Sequence, residues 1–239
     1  MLYQATEGQR VAAVVAHPDD AELMCFGTLR SLREAGAAVT VVIVTHGVGG
    51  VSVEDRAQGV RLAVEERLRE SRAAYAGTGI EVECLGFVDG ALKPDLALVS
   101  AIEAQLKRLG ATVLITHAPR AGNDHQDHEA VGTAAVNAAS RVSTCTTILH
   151  GEPHAPRSGF RPTMLVDITD LIEDKLLALK RHETQAGRWY LSDAYTRHRA
   201  AASGWRLAPA LAAEGRLFEA FECSLQVLTP AAAPSSREN

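Results

Sequence analysis

Short apolar runs rich in Val and Ile alternate along the chain with longer stretches of helical periodicity. The runs span residues 10–16, 38–45, 80–85, 111–116, 144–149 and 164–168, and helices are predicted near 21–35, 54–76, 97–109, 128–141 and 170–186. In the first helix Leu23, Phe26, Leu29 and Leu32 recur every third residue and share one face. Near-continuous apolar strands separated by helices describe a parallel sheet buried on both sides. The predicted fold is therefore α/β, doubly wound and Rossmann-like, with a mostly parallel sheet and helices on both faces. A late run at 217–228 is expected to add an edge strand or a mixed ribbon. Residues 1–228 read as one domain, and the Ala, Pro and Ser of 229–239 as a disordered tail.

Open sheets of this kind bind ligands at the carboxyl ends of their strands. The first run is followed there by His17-Pro18-Asp19-Asp20, the second by His46-Gly47, the third by Val88-Asp89-Gly90 and the fourth by His117. Beyond His117 comes Asp124-His125-Gln126-Asp127-His128. Pro18 keeps His17 out of the helical region, so the strand ends there and the two Asp stand at the next helix entrance. One Asp in that place is an ordinary helix cap. Two carboxylates beside a His crowd like charge that a cation would relieve. His125 and His128, three apart, can face one way on a first helical turn. Two His and a carboxylate with an open position form a common catalytic zinc arrangement. HExxH, P-loop, GxGxxG and GxSxG patterns are absent, so a water nucleophile fits better than a covalent route.

Composition narrows the classes further. The 239 residues are 46% hydrophobic and 22% charged, with a net charge of -5, which offers no broad basic surface to nucleic acid. No apolar run is long enough to span a membrane, and residues 1–10 lack the features of a signal peptide. The 4 Cys are scattered without CxxC spacing, as expected of reduced thiols in a cytoplasmic protein.

The two motifs resemble those of the LmbE-like (PIG-L-type) N-deacetylases, with Ala16–Asp20 matching A-H-P-D-D and His125–His128 matching H-P-D-H, Gln126 replacing Pro. Similarity extends to Thr45-x-Gly47, Arg67-x-x-Glu70, the Leu85–Gly90 segment, the late-helix residues Lys175, His182 and Gln185, and Phe218–Phe221. The resemblance implies that His17, Asp20 and His128 hold one Zn2+ per chain, with other divalent ions able to substitute. It implies Asp19 as general base, His125 as the group that stabilises or protonates the tetrahedral intermediate, and Asp127 as the residue that orients His125. It implies substrate contacts by Arg67 and Asp89, and the turn residues Asn123 and His46 are expected beside them. The implied activity removes an acetyl group from an N-acetylglucosamine-type conjugate, in a homo-oligomer without nucleic-acid or membrane partners. A metal-assisted hydrolase of another bond and a non-catalytic sugar- or nucleotide-binding module are the rival readings. Gln126 is expected to alter the backbone between the two His. His150 and His154 are expected either to line a pocket rim or to be exposed loop residues, and His117 to be either a core His or a neighbour of the site.

Overall fold

The computed structural model describes residues 8–119, 125–155 and 159–227; the expected tail at 229–239 lies outside them. Seven strands, β1 (Arg10–Val15), β2 (Ala38–Thr45), β3 (Glu81–Phe87), β4 (Val113–Thr116), β5 (Thr147–Gly151), β6 (Met164–Asp167) and β7 (Phe218–Gln226), form one sheet in the order β3-β2-β1-β4-β5-β7-β6. The first five are parallel, and β7 runs antiparallel to both β5 and β6. The helices are α1 (Asp20–Glu34), α2 (Val53–Ala57), α3 (Val64–Ala74), α4 (Leu96–Leu109), α5 (Gln126–Ala139), α6 (Ile172–Leu179), α7 (Asp193–Leu207) and α8 (Pro209–Ala213).

β1 shows why the sheet is covered twice. Val11, Ala13 and Val15 join a core with Phe26, Leu29 and Leu32 of α1, while Ala12, Val14 and Ala16 join another with α4 and α5. Chain order reverses between β1 and β4, the switch point at which such sheets open a crevice. His17 and His117 leave the sheet at that point.

Two elements differ from the sequence expectation, and a third selects between its alternatives. The helix predicted over 54–76 is broken into α2 and α3, with Gly59 at φ 79 between them. The late run takes the mixed-ribbon form rather than the edge form: β7 lies between β5 and β6, antiparallel to both, with Phe218–Phe221 buried. α7 gave no periodic signal because the face it buries is small, being Thr196, Ala200, Ser203 and Gly204.

α1 is interrupted at Cys25, whose φ of -150 leaves the helical range. Leu23 O, which an unbroken helix would offer to Gly27 N, accepts instead from Lys175 Nζ at 2.8 Å. The released N–H groups of Gly27 and Thr28 donate to Glu219 at 3.0 and 2.7 Å. A buried Lys175–Glu219 pair, 2.7 Å apart, thus patches the break.

Candidate metal centre and active site

The turn after β1 is clamped from three sides. Ala16 O accepts from Thr45 N and Oγ1 at 2.9 and 3.0 Å, and Ala16 N donates to His117 Nε2 at 3.0 Å. Pro18 lies so close to Gly47 that a Cβ there would meet Pro18 Cδ at 2.5 Å. Asp19, at φ 103, is the one non-glycine residue of positive φ among the described residues. Asp20 then opens α1, and its Oδ2 accepts the His17 N–H at 2.7 Å. Across the switch point, α5 starts from His125, whose Nδ1 accepts the Asp127 N–H at 3.1 Å as the helix cap. Gly132 lets α5 approach β4 closely, since a Cβ would stand 2.6 Å from His117 O.

Folded this way, the chain brings His17, Asp20 and His128 together. His17 Nδ1 lies 3.2 Å from His128 Nε2 and 3.4 Å from Asp20 Oδ2, and His128 Nε2 lies 3.2 Å from Asp20 Oδ1. Donors sharing one zinc at tetrahedral angles stand about 3.3–3.5 Å apart, so the set fits a divalent cation. The other nitrogen of His17, Nε2, faces Asp89 Oδ1 and Asp127 Oδ2, each at 3.2 Å. A carboxylate on the far nitrogen is how metal-ligating imidazoles are usually oriented. His125 flanks the cluster edge-on, its ring centroid 4.7 Å from that of His17.

Several residues stand elsewhere than the sequence reading expects. Asp127 does not reach for His125: its oxygens take His17 Nε2 and the N–H groups of Gly90 (2.7 Å) and Leu92 (3.2 Å). Capping α5 turns the His125 Nδ1 toward the backbone, and the loop after β3 claims the carboxylate. Arg67 is buried behind Asp19, 2% exposed, rather than open to substrate. One terminal nitrogen donates to Pro18 O (2.6 Å) and Asp19 Oδ2 (3.3 Å), the other to Glu70 and Thr184 at 3.1 Å. Asp89 is held by the Gly49 N–H at 2.6 Å and by His17. His46 packs over Gly86, without a hydrogen bond or ring contact to the cluster among the described residues. Asn123 lies outside the described residues. Gln126 is the first residue of α5, where proline is well tolerated, so the backbone between the two His is that of an ordinary helix start.

For two histidines the structure selects between the alternatives left open by the sequence. His117 is buried, stacked on His128 at 4.1 Å, and its Nε2 accepts from Ala16 N while lying 3.3 Å from Asp20. His154, beyond β5, is not a solvent-facing loop residue: its Nε2 stands 3.0 Å from Asp20 Oδ1. The usable signal was its place after the carboxyl end of a fifth parallel strand.

The cluster's electrostatics follow from burial against pairing. Burial alone would lower His17, but hydrogen bonds to Asp127, Asp20 and Asp89 overcome it and raise its imidazole well above the usual range. Burial would raise Asp20, yet His128 and the hydrogen bonds from His117, His128 and His154 hold it well below the ordinary carboxylate range. Burial, reinforced by His128, pushes His117 down to about 4. Burial lowers His125 too, and the neighbouring His17 and His128 add to the effect. Against the effect of burial, Asp20, Asp89 and Asp127 are all held below the ordinary carboxylate range by the imidazoles and N–H groups around them, an arrangement in which a cation can take the place of imidazole protons.

The profile of the PIG-L family, described as GlcNAc-PI de-N-acetylase, matches residues 12–139, a stretch that contains both motifs. The chain belongs to the PIG-L family. Among PIG-L-related proteins, diacetylchitobiose deacetylase of Thermococcus kodakarensis is 26% identical over 202 residues, covering 79% of this chain and 75% of its own. A probable N-acetyl-alpha-D-glucosaminyl L-malate deacetylase of Bacillus cereus is 30% identical over 185 residues, covering 74% and 84%. Among solved structures, the 4-carboxy-2-hydroxymuconate hydratase GalB of Pseudomonas putida superposes with a TM-score of 0.77 at 21% identity, covering 94% of this chain and 100% of its own. That likeness concerns the fold, whereas the deacetylase relatives are matched through sequence. No described helix is long and apolar enough to cross a membrane.

Proposed function

We propose that the protein is a zinc-dependent hydrolase that removes an acetyl group from the amide nitrogen of an N-acetylglucosamine-type conjugate. The observation that carries this reading is the convergence of His17 Nδ1, Asp20 and His128 Nε2, each pair 3.2–3.4 Å apart. Relatives named for deacetylating amino sugars supply the substrate class. In this reading His17, Asp20 and His128 hold one zinc ion. When bound, the ion supplies Lewis acidity to the acyl oxygen and lowers the pKa of a water to about 7.

The remaining work falls to the chain. Asp19 accepts the proton of the attacking water; Arg67, 3.3 Å from its Oδ2, aims the carboxylate. The water oxygen bonds to the acyl carbon, the C–N bond breaks as the proton held by Asp19 passes to the departing nitrogen, and the acetic acid so formed gives its remaining proton to the amine or to solvent, leaving acetate. His125, beside His17, stabilises the charge that develops on the acyl oxygen. Asp89 and Asp127 keep His17 turned so that Nδ1 faces the cation. The reading extends to a cytoplasmic enzyme, which the free thiols of Cys25, Cys84, Cys145 and Cys223 fit. It extends also to an assembly of like chains, for which the exposed Trp205 and Leu207 offer apolar surface.

The test is a deacetylation screen of N-acetylglucosamine conjugates with different aglycones beside N-acetyl amino acids, read by acetyl mass loss and zinc content. A sugar conjugate is the expected substrate, with Asp19→Asn losing about 10²–10³-fold in rate at unchanged zinc content. Preference for the amino acids would overturn the sugar assignment, and a metal-free active protein would overturn the zinc.

A further inference from the structure

A further donor atom, beyond those of His17, Asp20 and His128, stands at the Asp20 side of the candidate cation site. His154 Nε2 approaches Asp20 Oδ1 at 3.0 Å, and His128 Nε2 approaches the same oxygen at 3.2 Å. The ligand atoms of Asp20, His128 and His154 all lie within 4.8 Å of one another. The His154 ring meets His128 edge-on at 4.9 Å, so the two imidazoles point their nitrogens at the carboxylate from different directions.

The position of this ring is built rather than incidental. Tyr190 stacks on its other side at 5.1 Å with an interplanar angle of 25°. Tyr195 Oη donates to the His154 carbonyl oxygen, and Arg199 holds Glu152 through both its carboxylate and its carbonyl oxygen. The segment leaving β5 is thereby fastened to α7 on both sides of Pro153. Holding an imidazole between two aromatic rings beside a buried carboxylate is a cost that a solvent-facing loop histidine has no reason to meet.

We propose that His154 is a fourth protein ligand to the cation in the resting enzyme, and the one that yields its place when substrate arrives. The proposal rests on the metal reading above. His17, Asp20 and His128 belong to the end of β1 and the first turns of α1 and α5, where backbone hydrogen bonds fix them. His154 alone comes from an irregular segment. A site with four protein ligands is closed, whereas hydrolysis needs a position open to water or the acyl oxygen. Of the four, the loop residue is the one that can withdraw without unwinding a helix or a strand, and Tyr190 offers a surface for its ring. The resting cation is then shielded from adventitious ligands until an acetamide competes for it.

X-ray absorption at the zinc edge counts imidazole ligands directly. The zinc-loaded wild-type protein is expected to show three imidazoles per zinc without substrate and two in the presence of excess acetate. His154→Ala and His154→Gln should both show two under either condition, with zinc binding weakened at least about tenfold. Two imidazoles in substrate-free wild type, or a count unchanged by both substitutions, would overturn the proposal while leaving a zinc deacetylase in place. Failure of the wild-type protein to bind zinc would instead remove the metal reading together with the inference built on it.

Discussion

Glu219 and Asp20 are both carboxylates buried against α1, and their surroundings differ in kind. Glu219 accepts from Gly27 N, Thr28 N, Thr28 Oγ1 and Lys175 Nζ, at 2.6–3.0 Å, so one negative charge meets one positive charge and every lone pair has a donor. Asp20 is approached by the ring nitrogens of His17, His117, His128 and His154, and His17 in turn faces the carboxylates of Asp89 and Asp127. Those nitrogens are donors only when protonated, and burial works against that at His117. The first cluster is complete within the protein. The second gathers carboxylates and imidazoles without a Lys or Arg at Asp20 among the described residues, an arrangement that a divalent cation would complete. Burial of charge alone therefore marks neither structure nor function; what discriminates is whether the donor count closes.

Breaking the open cluster should have the largest effect. Asp20→Ala and His128→Ala are expected to lose zinc and to reduce deacetylation at least about 10³-fold, measured by metal analysis and turnover. Either variant retaining stoichiometric zinc would mean the ligand set is drawn elsewhere. Breaking the closed cluster should act on stability instead. Lys175→Met leaves Glu219 uncompensated and should lower unfolding free energy by about 3–5 kcal/mol in a denaturant titration, with zinc content unchanged. Adding Glu219→Gln should recover part of that loss; no recovery would mean the pair does not act as a unit. The smallest effect sharpens the contrast at Asp19. Since Asp19 holds φ 103, Asp19→Gly should be more stable than Asp19→Ala by about 1 kcal/mol in thermal melts, while both are equally deficient in turnover. Equal melts would show that the turn carries no strain.

The sheet and the metal-ligand candidates were legible because each is written locally. The β1 run, Pro18 and the adjacent Asp pair lie within eleven residues of one another, and strand-end position brings them to a common rim. What escaped is written in pairs distant along the chain. Asp127 sits two residues from His125, yet its partners are His17 and the N–H groups of Gly90 and Leu92, which only the packed sheet reveals. Arg67 carries the charge of a substrate contact, but α3 packs it inward onto Asp19 and Glu70. Periodicity also could not rank β7 as interior, because pairing order along a sheet is not encoded in the alternation of a single strand.

The place of β7 has a consequence for how the chain is made. Among the described residues β6 has no neighbour in the sheet but β7, and β7 is the last of the described strands to leave the ribosome. Until residues 218–226 are available, β5 keeps an unpaired edge and β6 has nothing to join, so this side of the sheet cannot zip in synthesis order. The five parallel strands β1 to β5 can form while translation continues, and β6 must wait for β7 and join the sheet with it in a late event. Glu219 arrives with that strand, so the break in α1 at Cys25 stays unpatched until the same moment.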